Sequence, residues 1–172
     1  MVKISNPGKR EFSKIYELTG KIDGLVQHEE HVFKIMIDHF GDSFFIAEEI
    51  DEDSGEEKLM GYMMGFVSQK MHGLLFVWQI GVSPDAQGKG IGKALLQRTI
   101  EYARFSNCKG VIATVETDNI ASQKLFEKLN FHVATKRFRE PQDDLVKVDE
   151  KDAIADYYGS GTDQIWYIHE LM

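Results

Sequence analysis

From Gln87 to Lys93 the chain reads Gln-Gly-Lys-Gly-Ile-Gly-Lys, with glycines at three alternate positions. An apolar run, Leu74–Val82, leads into this stretch, and an amphipathic run beginning Ala94-Leu95-Leu96 leaves it. A strand that ends at a glycine-rich helix N-terminus is a ready anion site. The first N–H groups of a helix have no partner within it, and the helix dipole adds partial positive charge at the same place. Glycine lets the backbone come close to a phosphate with no Cβ in between. Gln87, Gly88, Lys89, Gly90, Ile91, Gly92 and Lys93 are therefore read as holders of a phosphate-bearing ligand. Lys89 and Lys93 either add charge to that ligand or stand in solvent.

Two phosphate loops do not fit. A nucleotide P-loop needs G-x-x-x-x-G-K-[ST], and here Gln87 holds the first position and Ala94 the last. A dinucleotide fingerprint needs G-x-G-x-x-G near the first strand, whereas Gly92 comes one residue early and the stretch lies mid-chain. A second block follows. Val111–Glu116 reads as a strand, and Asn119 to Leu129 as a helix, with Asn130 suited to a left-handed helix exit before Phe131. The Q-G-x-G-x-G of the first block and Asn119, Ser122, Leu125 and Phe126 of the second, in this order and separation, closely resemble the two acyl-CoA motifs of the GNAT N-acetyltransferase superfamily. The resemblance covers about residues 74–131.

The resemblance implies an α/β (α+β) chain with the GNAT acyl-CoA N-acyltransferase fold: a mixed, mostly antiparallel central sheet of about seven strands flanked by four helices, in one domain over 1–172. It implies acetyl-CoA as co-substrate and acetyl transfer to a primary amine, with no metal; the six His residues are scattered. It sets the backbones of Ile80 and Val82 against the pantetheine arm, gives Asn119 a bond to that arm and Ser122 a contact to the phosphates. Asn119 or Asp118 also suits a helix N-cap. Gly81 reads as a bulge or a close backbone approach. Many members have a Tyr general acid where Phe126 stands. A thiol of pKa about 8.5 leaves tolerably as thiolate, and water, Tyr157 or Tyr158 can protonate it afterwards. An amine of pKa about 10 must lose a proton before it attacks. Glu116, at its strand end beside the cleft, is the first candidate base and Asp163 the second; His72 and His39 rank lower. Glu116 is also open to the plainer reading of a solvated strand end.

Leu75-Phe76-Val77-Trp78-Gln79-Ile80-Gly81-Val82 is similar to the central strand of the diaminobutyrate acetyltransferase family. His39-Phe40, Phe45-Ile46-Ala47-Glu48, Thr114-Val115 and Leu125-Phe126 match it too. The resemblance assigns Trp78, Thr114 and Tyr157 to the acceptor side; otherwise Trp78 is a core aromatic. Two segments depart from that family: Val26-Gln27-His28-Glu29, where it has an Asp-x-Asn-Ser-like stretch, and Ser160-Gly161-Thr162-Asp163, where it has a His-Glu pattern. The tail from Tyr157 to Asp163 is similar instead to protein N-terminal (ribosomal-type) acetyltransferases. The expected acceptor is a small diamine or amino acid. A protein N-terminus is the alternative, and a non-catalytic acyl-CoA-binding module the third reading.

Elements must position these residues. Residues 2–5 start a first strand. Lys9–Leu18 reads as a helix with Phe12, Ile15, Tyr16 and Leu18 inward, and Gln27–Phe40 as a second with Val32, Phe33, Ile35, Met36 and Phe40 inward. Strands follow at Ser43–Glu49, Leu59–Ser68 and Leu74–Val82, then a helix from Gly90 to Ser106. Phe131–Arg139 is expected as a sixth strand and Gln164–Leu171 as a seventh, with Glu140–Asp156 a long polar loop between them. The net charge of −8 argues against nucleic acid as a partner and suits a cationic substrate. No apolar run reaches the ~18 residues of a membrane span, and Met1-Val2-Lys3-Ile4 opens no signal peptide. One cysteine, Cys108, fits a reducing cytoplasm. A homodimer is carried over from the family alone.

Overall fold

The computed structural model describes residues 2–171; Met1 and Met172, the ends of the expected domain, lie outside the described residues. The chain runs β1 (Val2–Ser5), α1 (Phe12–Thr19), α2 (Glu30–Phe40), β2 (Phe44–Ile50), β3 (Glu57–Val67), β4 (Leu74–Val82), α3 (Ile91–Phe105), β5 (Gly110–Glu116) and α4 (Ile120–Lys128). It ends with β6 (His132–Val133), α5 (Thr135–Phe138), β7 (Leu145–Val148), β8 (Lys151–Ile154) and β9 (Gln164–Glu170). All the strands share one sheet in the order β1-β2-β3-β4-β5-β9-β8-β7, with β6 also on β9. Every pairing is antiparallel except β4 with β5.

Strand alternation sends side chains to two cores. Phe45, Ala47 and Met63 face α3, whose Ile91, Leu95, Leu96, Ile100 and Ala103 are all buried. Phe44, Ile46, Tyr62 and Met64 face the other way, toward Ile15 and Leu18 of α1 and Phe33, Met36 and Ile37 of α2. In α2 the inward row is therefore Phe33, Met36 and Ile37, and Ile35, expected inside, is 48% exposed. Phe40 is also exposed and packs on Phe66 at 5.7 Å between ring centres.

The C-terminal third departs from the sequence expectation. The sixth strand stops after His132 and Val133. Ala134 N–H still bonds Trp166 O, but the next rung belongs to a side chain: Thr135 Oγ1 accepts from Trp166 N–H at 3.1 Å and donates to Asp152 O at 2.6 Å. That hydroxyl ends the ladder, the chain turns into α5, and Phe138 stacks on Trp166. The expected polar loop holds the hairpin β7–β8. Its two-residue turn is Asp149-Glu150, with φ of 47° and 65°, the left-handed pair of a tight hairpin turn. No Asn-Gly or Asp-Gly marks it. Among the described residues the sheet thus has nine strands, and five α-helices rather than four flank it.

Candidate active site

The cleft exists because two parallel strands part company. β4 and β5 pair only from Leu74 with Gly110 to Val77 with Ala113. At that point β4 bulges: Gly65 of β3 faces Val77, Met64 faces Gln79, and Trp78 is the extra residue. A bulge bends its strand and adds twist, so the second half of β4 diverges from β5. The ladder to β3 fixes what the free edge offers. Ser83 N–H bonds Met60 O at 2.8 Å, and antiparallel alternation then turns Gly81 and Gln79 toward β3. The N–H and C=O of Ile80 and Val82 are left facing the gap. Gly81 is not the bulge. It is a close approach: a Cβ there would lie 2.8 Å from Tyr62 Cε1 and 2.9 Å from Leu25 Cδ2.

One end of the gap meets the start of α3. The first helical bond is Ala94 N–H to Gly90 O at 3.0 Å, so the N–H groups of Ile91, Gly92 and Lys93 precede the ladder. Gly88 and Gly90 have φ of 78° and 83°, and a Cβ on either would meet nothing within 4 Å. They make an open cradle that a phosphate fits. Lys89 N–H is turned inward to Ala86 O, and the Gln87 side chain reaches Val82 O at 3.5 Å. Ile91 is buried in the core, so only its backbone is on offer. Gly92 lets α3 and α4 touch, a Cβ there lying 3.2 Å from Leu125 Cδ2.

The far wall is α4. Asn119 Oδ1 accepts from Ser122 N–H at 3.0 Å and caps the helix. At the other end Phe131 N–H bonds Phe126 O, Asn130 N–H bonds Glu127 O, and Asn130 has φ of 60°. This double-bonded exit, with Phe126 against Phe131 at 5.0 Å, is the Schellman arrangement. It locks Phe126, which is buried and lines the cleft, between Phe131 and Tyr167. Behind it, Lys151 of β8 donates to Gln123 Oε1 at 2.8 Å and Glu127 Oε1 at 2.5 Å. This ammonium holds the Glu127 carboxyl below the usual carboxylate range. Gln123 in turn donates to the carbonyls of Glu116 and Thr117, tying the end of β5 to α4.

The cleft encloses about 440 Å³. One end of it is closed by the α1–α2 loop and by the segment before β9. Gln79 anchors the first: its Nε2 donates to Val26 O at 2.8 Å, and Tyr62 O–H donates to its Oε1 at 2.6 Å. Val26 and His28 then reach the cleft, His28 lying 5.0 Å from Trp78 between ring centres. Partial burial lowers the His28 pKa. The second wall is self-bonded. Asp163 Oδ1 accepts from Asp156 N–H, Asp156 Oδ1 from Gly161 N–H, and Thr162 Oγ1 from Tyr158 N–H. That loop presents Tyr158, whose hydroxyl pairs with Thr114 Oγ1 at 3.0 Å. The ring is 60% exposed, yet desolvation of the hydroxyl raises its pKa.

Of the residues read from the sequence, Trp78, Ile80, Thr114, Glu116, Asn119, Ser122 and Tyr158 line one cleft. Trp78 is 39% exposed, not a core residue. Tyr157 and Asp163 are outside the lining: Tyr157 packs on Trp166 at 5.7 Å, and Asp163 fastens the loop that carries Tyr158. His39 and His72 are also outside it. Sequence reading missed Gln79, Val26, His28 and Thr162 as parts of the site. Val26, His28 and Thr162 fall in the two segments that depart from the diaminobutyrate acetyltransferase pattern, and Gln79 in the strand that matches it. Among the described residues, no three His, Cys, Asp or Glu side chains group as a metal site would need.

Residues 11–131 match the family described as Acetyltransferase (GNAT) family. The chain is 33% identical over 128 residues to an L-2,4-diaminobutyric acid acetyltransferase of Halalkalibacterium halodurans. That alignment spans 74% of the chain and just under two thirds, 64%, of the relative. The fold is similar to diaminobutyrate acetyltransferase EctA from Paenibacillus lautus, solved with L-2,4-diaminobutyric acid and coenzyme A. The TM-score is 0.72 at 20% identity, over 99% of this chain and 95% of that one. It is also similar to the ribosomal-protein-S18-alanine N-acetyltransferase from Escherichia coli, with a TM-score of 0.66 at 18% identity over 99% and 94% of the two chains.

Proposed function

The chain belongs to the GNAT acetyltransferase family, and from that premise we propose that it moves the acetyl group of acetyl-CoA to the primary amine of a small diamine or amino acid, as the relatives' diaminobutyrate name suggests. The observation that supports this most is the coincidence of three features at one gap. The β4 edge at Ile80 and Val82 has no partner strand, the open glycine cradle lies at its end, and a cleft continues past Trp78 to Tyr158. The cradle and Lys93 suit the diphosphate of acetyl-CoA, and the β4 edge suits an amide-bearing arm laid beside it as an extra strand.

The chemistry is direct transfer. The amine gives up a proton, for which Glu116 is the carboxylate in the cleft. Its nitrogen attacks the thioester carbonyl, an N–C bond forms, and a backbone N–H near Val82 receives the developing oxyanion. The C–S bond then breaks, and the thiolate takes a proton from water or from Tyr158. Phe126 closes the leaving-group side with no donor. In this reading the protein works in the cytoplasm, where Cys108 stays a thiol, and the dimer expected from the family is open to light scattering. A peptide N-terminus is the second acceptor. The self-bonded loop of residues 156–163, with Tyr158 at the cleft, favours it.

The deciding experiment has two parts. Gly90→Glu puts bulk and negative charge into the cradle at a left-handed φ and should abolish acetyl-CoA binding in calorimetry; retained binding would overturn the cofactor assignment. Thiol release from acetyl-CoA is then followed with small diamines, amino acids and alanyl peptides. Turnover with peptides alone selects the second acceptor. Tight binding with no turnover on any amine leaves a non-catalytic acyl-CoA-binding module.

A further inference from the structure

The acceptor end of the cleft is poor in charge, and the charge it has is negative. Among the described lining residues, Glu116 is the single carboxylate, and none is Lys or Arg. Two of the neutral donors are already committed, while the Asn119 and Gln164 amides and the Ser122 hydroxyl also line the cleft. Thr162 Oγ1 donates to Gly159 O at 2.6 Å, and Gln79 Nε2 to Val26 O at 2.8 Å. The Thr114 and Tyr158 hydroxyls pair with each other and leave one proton between them. His28 is no substitute cation, because partial burial disfavours its charged form.

A carboxylate brought into this lining would lose water and gain neutral donors but no Lys or Arg counter-ion. A charged group left so under-satisfied is expensive. An ammonium meets the opposite surroundings: the Glu116 carboxylate, the paired hydroxyl oxygens, and the exposed Trp78 ring, whose face attracts cations. L-2,4-Diaminobutyric acid, for which the relatives are named, brings a carboxylate into this lining. Its decarboxylated counterpart, 1,3-diaminopropane, brings none.

We propose that the acceptor is a small aliphatic diamine without a carboxylate, selected by a cleft that holds one acid and no base of the Lys or Arg type. The inference rests on the acetyl-transfer reading and narrows it. The test uses matched pairs that differ only in the carboxylate: 1,3-diaminopropane against 2,4-diaminobutyrate, and putrescine against ornithine. Each is assayed by thiol release from acetyl-CoA and titrated calorimetrically into protein loaded with CoA. The diamine of each pair should exceed its amino acid by about tenfold or more in kcat/KM and in affinity. Equal or reversed preference in both readouts overturns the proposal and leaves acetyl transfer standing. Selective diamine binding with no thiol release keeps the selectivity of the cleft and overturns the transfer reading instead. No binding of any member of either pair overturns the proposal.

Discussion

At the scale of the residue, the two halves of the cleft differ in what their chemistry demands. The phosphate side needs free N–H groups and absent side chains, and both are written locally: a run of glycines and a helix start within seven residues. That is why the open backbone of Gly88 and Gly90 and the Asn119 cap were legible. The other side of the cleft, read as the acceptor side in the proposed function, is assembled from Val26, His28, Trp78, Thr114, Tyr158 and Thr162, which meet only after folding. No spacing rule links them. Two predictions belong here. Glu116→Gln keeps the shape and removes the only carboxylate of the described lining. If Glu116 is the base, kcat should fall about 100-fold with acetyl-CoA affinity unchanged; steady-state kinetics beside calorimetry checks both, and an unchanged kcat returns Glu116 to a strand-end role. His28 gives a pH effect of definite sign. Burial lowers its pKa, so it is mostly neutral at pH 7 and gains its charge below the usual 6.5. A charged His28 repels an ammonium acceptor, so the amine KM should climb on acidification more steeply in wild type than in His28→Gln. The unfolded chain takes that proton at higher pH than the folded one. Stability should therefore also fall with pH, and less so in the variant.

At the scale of the element, the bulge at Trp78 does the work of opening the sheet, and a glycine on the next strand permits it. A Cβ at Gly65 would lie 2.5 Å from the backbone oxygen of Phe76, a contact that no rotamer relieves. Gly65→Ala must push β4 away from β3 where β4 also leaves β5. The expected cost is about 1–3 kcal/mol, a fall of roughly 5 °C in Tm by calorimetry, together with a raised KM for acetyl-CoA. Gly41→Ala is the control: its Cβ meets nothing within 4 Å, and it should leave both near wild type. The sequence foretold β4 at its observed bounds, Leu74–Val82, because apolar alternation and a terminal turn coincide there. It did not foretell the bulge, which depends on register against β3. The same limit explains the C-terminal third. β6 ends early because one hydroxyl, on Thr135, takes the Trp166 N–H, and the β7–β8 turn is built from Asp149-Glu150, a pair that does not usually announce a hairpin. Helix exits were easier to read, since Asn130 at a left-handed φ is a local choice made by one residue.

At the scale of the whole molecule, a net charge of −8 sets a field that every ligand crosses. Acetyl-CoA is an anion and must enter against it, which in the proposed reading the free N–H groups at the start of α3, with Lys89 and Lys93, offset over a short range. A diammonium acceptor moves with the field toward a cleft whose one charged lining residue is Glu116. Salt separates these contributions, because the screening length falls from about 30 Å at 0.01 M to about 3 Å at 1 M. Long-range attraction is lost first, while contacts inside the cleft persist. Between about 20 and 500 mM NaCl the KM for a diamine should therefore rise severalfold with kcat nearly flat, since steering changes encounter and not the chemical step. The KM for acetyl-CoA should respond less, as screening weakens the repulsion of the whole molecule and the attraction of the cradle together. A neutral monoamine of the same length, assayed at a pH where it is uncharged, should show no comparable trend. A diamine KM that stays flat across the series would mean that the acidic surface does not steer the acceptor. Discrimination would then reside wholly in the lining of the cleft, where Glu116→Gln should still shift it.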